Sequence, residues 1–243
     1  MPPVLSIIIP TLREGGFLER TLKNFEGLGM PHEIIVSDGG STDETLAIAR
    51  RYADRIVVWD KPRRQTFGEA KNAGAALATG AFLVFIDADV IIPKPQAFFT
   101  EMLAAFRAHP ERVAMTVPLK PWPENHSLID AIFCEPLNWF YIIANNIFHS
   151  GNSSGEFQMV RADAFRRQKG FKEFLAAGED NELFRELATH EGRTISYPKL
   201  YVRHSLRRIH EFGWLETYFV WIKNGLSVML RGRAAYKEWK VIR

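Results

Sequence analysis

The chain has 243 residues, 47% hydrophobic and 24% charged, a balance that excludes long disordered tracts and allows one substantial core. Its one cysteine, Cys134, excludes an internal disulfide and suits a reducing compartment. The net charge of +3 is unevenly placed: from residue 201 onward nine Lys and Arg stand against three Glu, which leaves the first 200 residues acidic.

The opening MPPVLSIIIP has no basic region and only a short apolar run closed by Pro10, so it reads as a strand over 4–9 and not as a leader. Phe17, Leu18, Leu22, Phe25 and Leu28 then recur at helical spacing over 15–28. EIIVS at 33–37 is a second strand. Ser41 with Glu44 three residues on has the form of a capping box opening a helix over 42–53. A third strand covers 55–59, the Ala-rich stretch 68–80 is a helix closed by Gly80, and AFLVFID at 81–87 is a fourth strand. Continuous apolar strands alternating with helices predict an α/β fold, a mostly parallel central sheet flanked by helices in a single domain.

The second half is less regular. It reads as a helix over 95–109, a strand over 113–118, a Pro-rich loop over 118–126 and a helix over 127–148. GNSSGE follows at 151–156, then a strand at 157–161, a helix from Ala162 and an acid-led helix over 178–192. Trp122, Trp139 and Tyr141 read more simply as core than as a platform for a sugar. Residues 128–148 hold too many polar groups to span a membrane. From 213 to 230 one helical face carries Gly213, Glu216, Thr217, Lys223, Asn224 and Ser227, the rest being aliphatic and aromatic. Such a helix either lies in a membrane interface or packs on the domain. The basic residues Arg231, Arg233, Lys237 and Lys240 favour the membrane, which places the protein in the cytoplasm with peripheral contact on the inner face through 207–243. No nucleic-acid motif accompanies the basic excess, so no nucleic-acid partner is expected.

Ligands of an open parallel sheet bind at the carboxyl ends of its strands. Here those ends are Pro10-Thr11, Asp38 and Asp87-Ala88-Asp89. Converging carboxylates repel unless a cation joins them, and oxygen ligands suit Mg²⁺ or Mn²⁺. No GxxxxGK[ST] loop and no GxGxxG follows the first strand, so phosphates bound here are neutralised by a metal on acids and not by a glycine cradle.

SIIIPTLRE, EIIVSDGGSTDET and GEAKNAGAALATGAFLVFIDADV together resemble family 2 glycosyltransferases of the GT-A fold. GNSS and FKEFLAAGEDNELFREL resemble that family's acceptor side, so the likeness covers residues 4 to about 190 in the family's order. The resemblance implies a metal-dependent, inverting transferase using a nucleotide diphosphate sugar, UDP-linked in preference to GDP-linked. The acceptor is left open among lipid-linked, polysaccharide and protein groups. Residues 1–205 become the catalytic domain, with 1–118 its nucleotide-sugar half and 119–205 its acceptor half, and 206–243 become a basic helical tail. Pro10, Thr11 and Glu14 lie along the nucleotide, Asp38 accepts from the base, and Lys71 stands where the family often has Arg, losing a fork of donors. Asp87 and Ala88 approach the ribose or metal and Asp89 binds the metal. Val90 replaces a frequent third acid, and His204 is the candidate for the remaining ligand. Asp180, ahead of Glu179, is the carboxylate expected to take the acceptor's proton. Two rival readings are a nucleotidyltransferase, for which PTLREGG is a poor glycine-rich loop, and a non-catalytic binding module, against which the DAD and ED pairs speak.

Overall fold

A computed structural model describes residues 3–125 and 127–236. β1 (Leu5–Thr11), α1 (Leu18–Lys23), β2 (His32–Asp38), α2 (Thr45–Tyr52), β3 (Arg55–Val58), α3 (Phe67–Leu77) and β4 (Phe82–Ile86) follow the predicted strand–helix alternation. β5 (Val90–Ile91), α4 (Pro95–Ala108), β6 (Arg112–Thr116), β7 (Leu119–Pro121), α5 (Leu128–Asn146), β8 (Phe157–Arg161) and α6 (Ala162–Arg167) continue the chain. α7 (Glu179–His190), β9 (Arg193–Ser196), β10 (Val202–His204), α8 (Arg207–Phe212) and α9 (Trp214–Arg231) complete it.

The central sheet has seven strands in the order β3-β2-β1-β4-β8-β6-β9. Every pairing is parallel except those of β8, which runs antiparallel to both β4 and β6. The mostly parallel sheet is therefore as expected, with one reversed strand. Side chains alternate across β1, and this divides the core in two. Leu5, Ile7 and Ile9 meet α1 and α4 on one face, while Ile8 meets the layer of α6 and α7 on the other.

Local expectations need four corrections. Ser41 does not cap α2, because its hydroxyl donates to Asp38 and accepts from Arg13 N; the helix opens at Thr45, whose N–H is held by Asp43 at 3.2 Å. The capping box lies instead at Thr66 and Glu69, ahead of α3, and a second sits at Ser127 and Asp130 ahead of α5. Gly80 is not a helix cap either: α3 ends at Leu77, and a Cβ on Gly80 would stand 2.7 Å from Ser6 Oγ. The Pro-rich loop contains β7, which joins β5 and β10 in a small second sheet. Trp122 is buried beneath Arg20 and Phe17, but Trp139 is exposed on α5 and not in the core.

Among the described residues no helix is long and apolar enough to cross a membrane. The tail is joined to the domain through Trp214, Thr217, Asn224 and Val228, all buried, so the face of α9 that was expected to be polar and wet partly faces inward. Lys237, Lys240 and Arg243 lie outside the described residues.

Candidate active site

Register brings the first acids together. Parallel pairing sets Thr11 opposite Asp38 at the carboxyl ends of β1 and β2. Thr11 Oγ1 donates to Asp38 Oδ2 at 2.9 Å, and Asp38 also accepts from Gly40 N, Ser41 N and Ser41 Oγ. A carboxylate so fully engaged fixes the turn after β2. Pro10 is buried beside Thr11.

The next pair of strand ends meets through the small sheet. Antiparallel pairing of β5 with β10 places His204 opposite Val90, and thereby next to Asp89. His204 Nε2 lies 3.2 Å from Asp89 Oδ1. Ser205 Oγ donates to Asp89 Oδ2, and Arg207 Nε stands 3.2 Å from the same oxygen. Arg207 also grips both oxygens of Glu14, at 2.6 and 2.7 Å. Burial works against charge at Asp89, but His204, Arg207 and Ser205 outweigh it and hold its carboxyl well below the usual range. Asp87 is the opposite case. Burial, with the charges of Glu156 and Asp89, pushes it up to about 8 despite Lys71 and His204. His204 is raised to about 9, because Asp89, Glu156 and Asp87 outweigh its burial.

A third cluster lies on the acceptor side. Lys71 of α3, only 2% exposed, reaches across to the start of α7. Its Nζ lies 3.2 Å from Glu179 Oε1 and hydrogen-bonds Asp180 Oδ1. Burial raises Lys71's cost of charge, yet Asp180, Glu179 and Asp87 together keep it firmly protonated. Glu179 is buried and raised by that burial and by Asp180, against the pull of Lys71. Asp180 is the more open of the two, with 16% of its side chain exposed against 4% for Glu179. The glycine-and-serine loop fits around it: a Cβ on Gly155 would stand 2.5 Å from Asp180 Oδ2, and Asn181 holds Ser153 N at 3.1 Å. Glu156, whose carbonyl accepts from Asp87 N at 3.3 Å, directly follows Gly155, which lies against Asp180, so the two clusters are neighbours.

Comparison with known proteins decides the family. The model for glycosyl transferase family 2 matches residues 6–168. The chain belongs to that family. It is similar to validoxylamine A glucosyltransferase of Streptomyces hygroscopicus subsp. jinggangensis, 33% identical over 139 residues covering 53% of this chain and 33% of that protein. It is also similar to a PGL/p-HBAD biosynthesis glycosyltransferase of Mycobacterium bovis, 40% identical over 93 residues, 36% of each. The matches thus span about a third of the length of these curated relatives. Two solved structures share the GT-A fold. One is the Pyrobaculum calidifontis mannosyltransferase with GDP-Man and Mn²⁺ (TM-score 0.67, 21% identity, 85% of this chain and 58% of that one). The other is Mycobacterium tuberculosis glucosyl-3-phosphoglycerate synthase with Mn²⁺, UDP and glucosyl-3-phosphoglycerate (TM-score 0.63, 20% identity, 94% and 79%).

In this family 2 chain, Asp87, Asp89 and His204 are the residues fit to hold a divalent cation. One ligand atom from each lies within 4.8 Å of the others. The buried Asp89 Oδ1 has only the His204 imidazole beside it, at 3.2 Å, the group that would share a cation with it. Imidazole ligates only when neutral, so a bound cation replaces the proton that His204 otherwise keeps.

Sequence reasoning missed four members of the site. Arg207 and Ser205 follow a strand of three residues, and Gly155 carries no chemistry of its own. Glu156 enters because β8 reverses beside β4, which puts its carbonyl 3.3 Å from Asp87 N. No local pattern marks any of them.

Proposed function

We propose that this chain transfers a sugar, with inversion, from a nucleotide diphosphate sugar to an acceptor hydroxyl or phosphate oxygen. The observation that carries the reading is the meeting, through Lys71 and Glu156, of a cation-fit Asp87–Asp89–His204 cluster with the Glu179–Asp180 pair. Pro10, Thr11, Glu14 and Asp38 line the nucleotide, with Asp38 shaping the turn against the base, and Ala88, packed in the core beneath α1, sets Asp87 and Asp89 in place. UDP is favoured over GDP, in keeping with the synthase solved with UDP. Mg²⁺ or Mn²⁺ on Asp87, Asp89 and His204 supplies positive charge for the departing diphosphate.

This chain's residues do the rest. Attack is in line: the acceptor oxygen bonds to the anomeric carbon as the carbon–oxygen bond to the diphosphate breaks. Asp180 takes the acceptor's proton, because it is the more exposed carboxylate of its pair and a side chain at Gly155 would close on its Oδ2. Glu179, buried behind it, holds Lys71 in place. The reading includes a lipid contact by residues 207–243 in a protein of the cytoplasm.

Calorimetry with UDP and GDP, with and without Mn²⁺, tests the donor side. UDP should bind more tightly with Mn²⁺, and Asp89→Ala should abolish the metal's effect while leaving the melting temperature of the free protein intact. Metal-dependent affinity that survives in Asp89→Ala would remove Asp89 from the site.

A further inference from the structure

α5 and α9 are built inside out. Asn138 of α5 turns inward to bond both the N–H and the carbonyl of Leu119, at 2.8 and 2.9 Å, and Asn145 does the same for Asn152, both at 2.7 Å. On α9, Thr217 and Asn224 are buried, and Asn224 Nδ2 donates to Ala177 O at 3.1 Å. Cys134, Ala144, Trp214 and Val228 are also turned in, but most of the large apolar side chains of both helices point outward. All the exposed large hydrophobics among the described residues except Val58, Phe67 and Phe174 lie on α5, just past its end, or on α9. Ile132, Phe140 and Phe148 represent the first helix, and Phe219, Ile222 and Leu226 the second, each 49% exposed or more. The helices touch where Phe133 stacks on Trp214, with ring centroids 5.4 Å apart, so they pack against each other at that end.

We infer that the outer faces of α5 and α9 together form a platform that lies on an anionic bilayer surface, and that the acceptor is therefore borne by a lipid. Exposed large hydrophobics gathered on two touching helices mark a contact with something apolar. Charge selects the occupant. Exposed Lys223, Arg231 and Arg233 border the α9 face with Glu216 as its one exposed acid, so the positive charge lies at the α9 end, while the α5 face carries Glu135 and no Lys or Arg. A second copy would bring like charges together across the interface, whereas anionic headgroups complement them. Neither helix is long and apolar enough to span, and aromatic side chains such as Trp139, Phe140 and Phe219 suit the headgroup boundary. The platform also backs the site. α9 supports Ala177 and Gly178, the two residues before Glu179, and α8, between the helices' contact and the site, sends Arg207 to Asp89. An enzyme held by this face keeps its acceptor side at the lipid surface. This inference rests on the transferase reading for the word acceptor, but not for the platform.

The test is flotation of the full chain with vesicles of phosphatidylglycerol and phosphatidylcholine, with calorimetry of UDP and Mn²⁺ run in parallel. Binding is expected at low salt and should weaken as salt rises from about 0.05 to about 0.5 M. The outward double variants Phe219→Glu with Leu226→Glu, and Phe140→Glu with Ile143→Glu, should each lower vesicle affinity about tenfold or more and leave UDP binding unchanged. Absence of binding at low salt, binding by both variants as tight as that of the unaltered chain, or a dimer that the variants split without any lipid affinity would overturn the platform. Loss of UDP binding with vesicle binding intact would sink the transferase reading alone.

Discussion

At the scale of single residues, the site separates two carboxylates by exposure. Glu179 and Asp180 head α7, where the helix dipole favours their charge, and Lys71 lies against both. Lys71 ties both carboxylates to α3, so proton transfer depends on which oxygen an acceptor can reach. Asp180→Asn keeps the shape and removes the proton acceptor. Single-turnover transfer should fall by about 10²-fold or more with UDP affinity unchanged. Near-normal turnover in that variant beside an inactive Glu179→Gln would hand the role to Glu179. The acids were legible in the sequence because each sits in a short pattern: DAD after an apolar strand, ED at a helix start. Arg207 was not, because it reaches a glutamate 193 positions away, and only the folded chain places the two together.

At the scale of elements, the strand–helix half was legible from periodicity and the small sheet was not. β5, β7 and β10 have two or three residues each, too few to show alternation, and they exist only because each finds a partner far along the chain. α3 shows how a cap can hide in the same way. Thr66 precedes a Phe-Gly pair that reads as a loop, yet its hydroxyl accepts from Glu69 N while Glu69 accepts from Thr66 N. Arg63, in the loop before α3, closes the arrangement by pairing with Glu69. That bond outweighs partial burial and holds Glu69 down at about 2. A carboxyl depressed in the folded state stabilises fully above its unfolded value of about 4.5, and its contribution disappears as pH falls through about 2. Melting curves should therefore show Glu69→Gln below wild type at neutral pH, with the gap closing between about pH 4.5 and pH 2. Thr66→Ala should cost about 1 kcal/mol, a drop of roughly 2–4 °C, at neutral pH. A gap that widens on acidification would contradict the assignment.

At the scale of the whole molecule, the catalytic layer and the outer helices share one set of contacts. The composition of α9 was legible, because its apolar and polar residues separate by helical spacing, but its direction was not. Amphipathicity says that a helix has two faces, and only the partner decides which one turns inward. Here two buried polar residues turn in, and Asn224 is the anchor: it donates to Ala177 O and accepts from Ala235 N at 3.0 Å. Asn224→Ala strips both bonds and leaves a buried carbonyl unpaired, which should cost about 1–3 kcal/mol and lower the melting temperature by roughly 3–10 °C. Because Ala177 precedes Gly178 and the Glu179–Asp180 pair, transfer should fall with it, while UDP and Mn²⁺, proposed to sit on the strand ends that Asn224 does not touch, should bind as before. Leu226 lies on the outward face of the same helix, two residues on, and Leu226→Ser should change stability by no more than about 0.5 kcal/mol. An ordinary amphipathic helix packed on a core gives the reverse order, with the leucine costly and the asparagine neutral. Differential scanning calorimetry of the two variants, beside a transfer assay, separates the arrangements, and the reverse order would show that α9 packs by its apolar face.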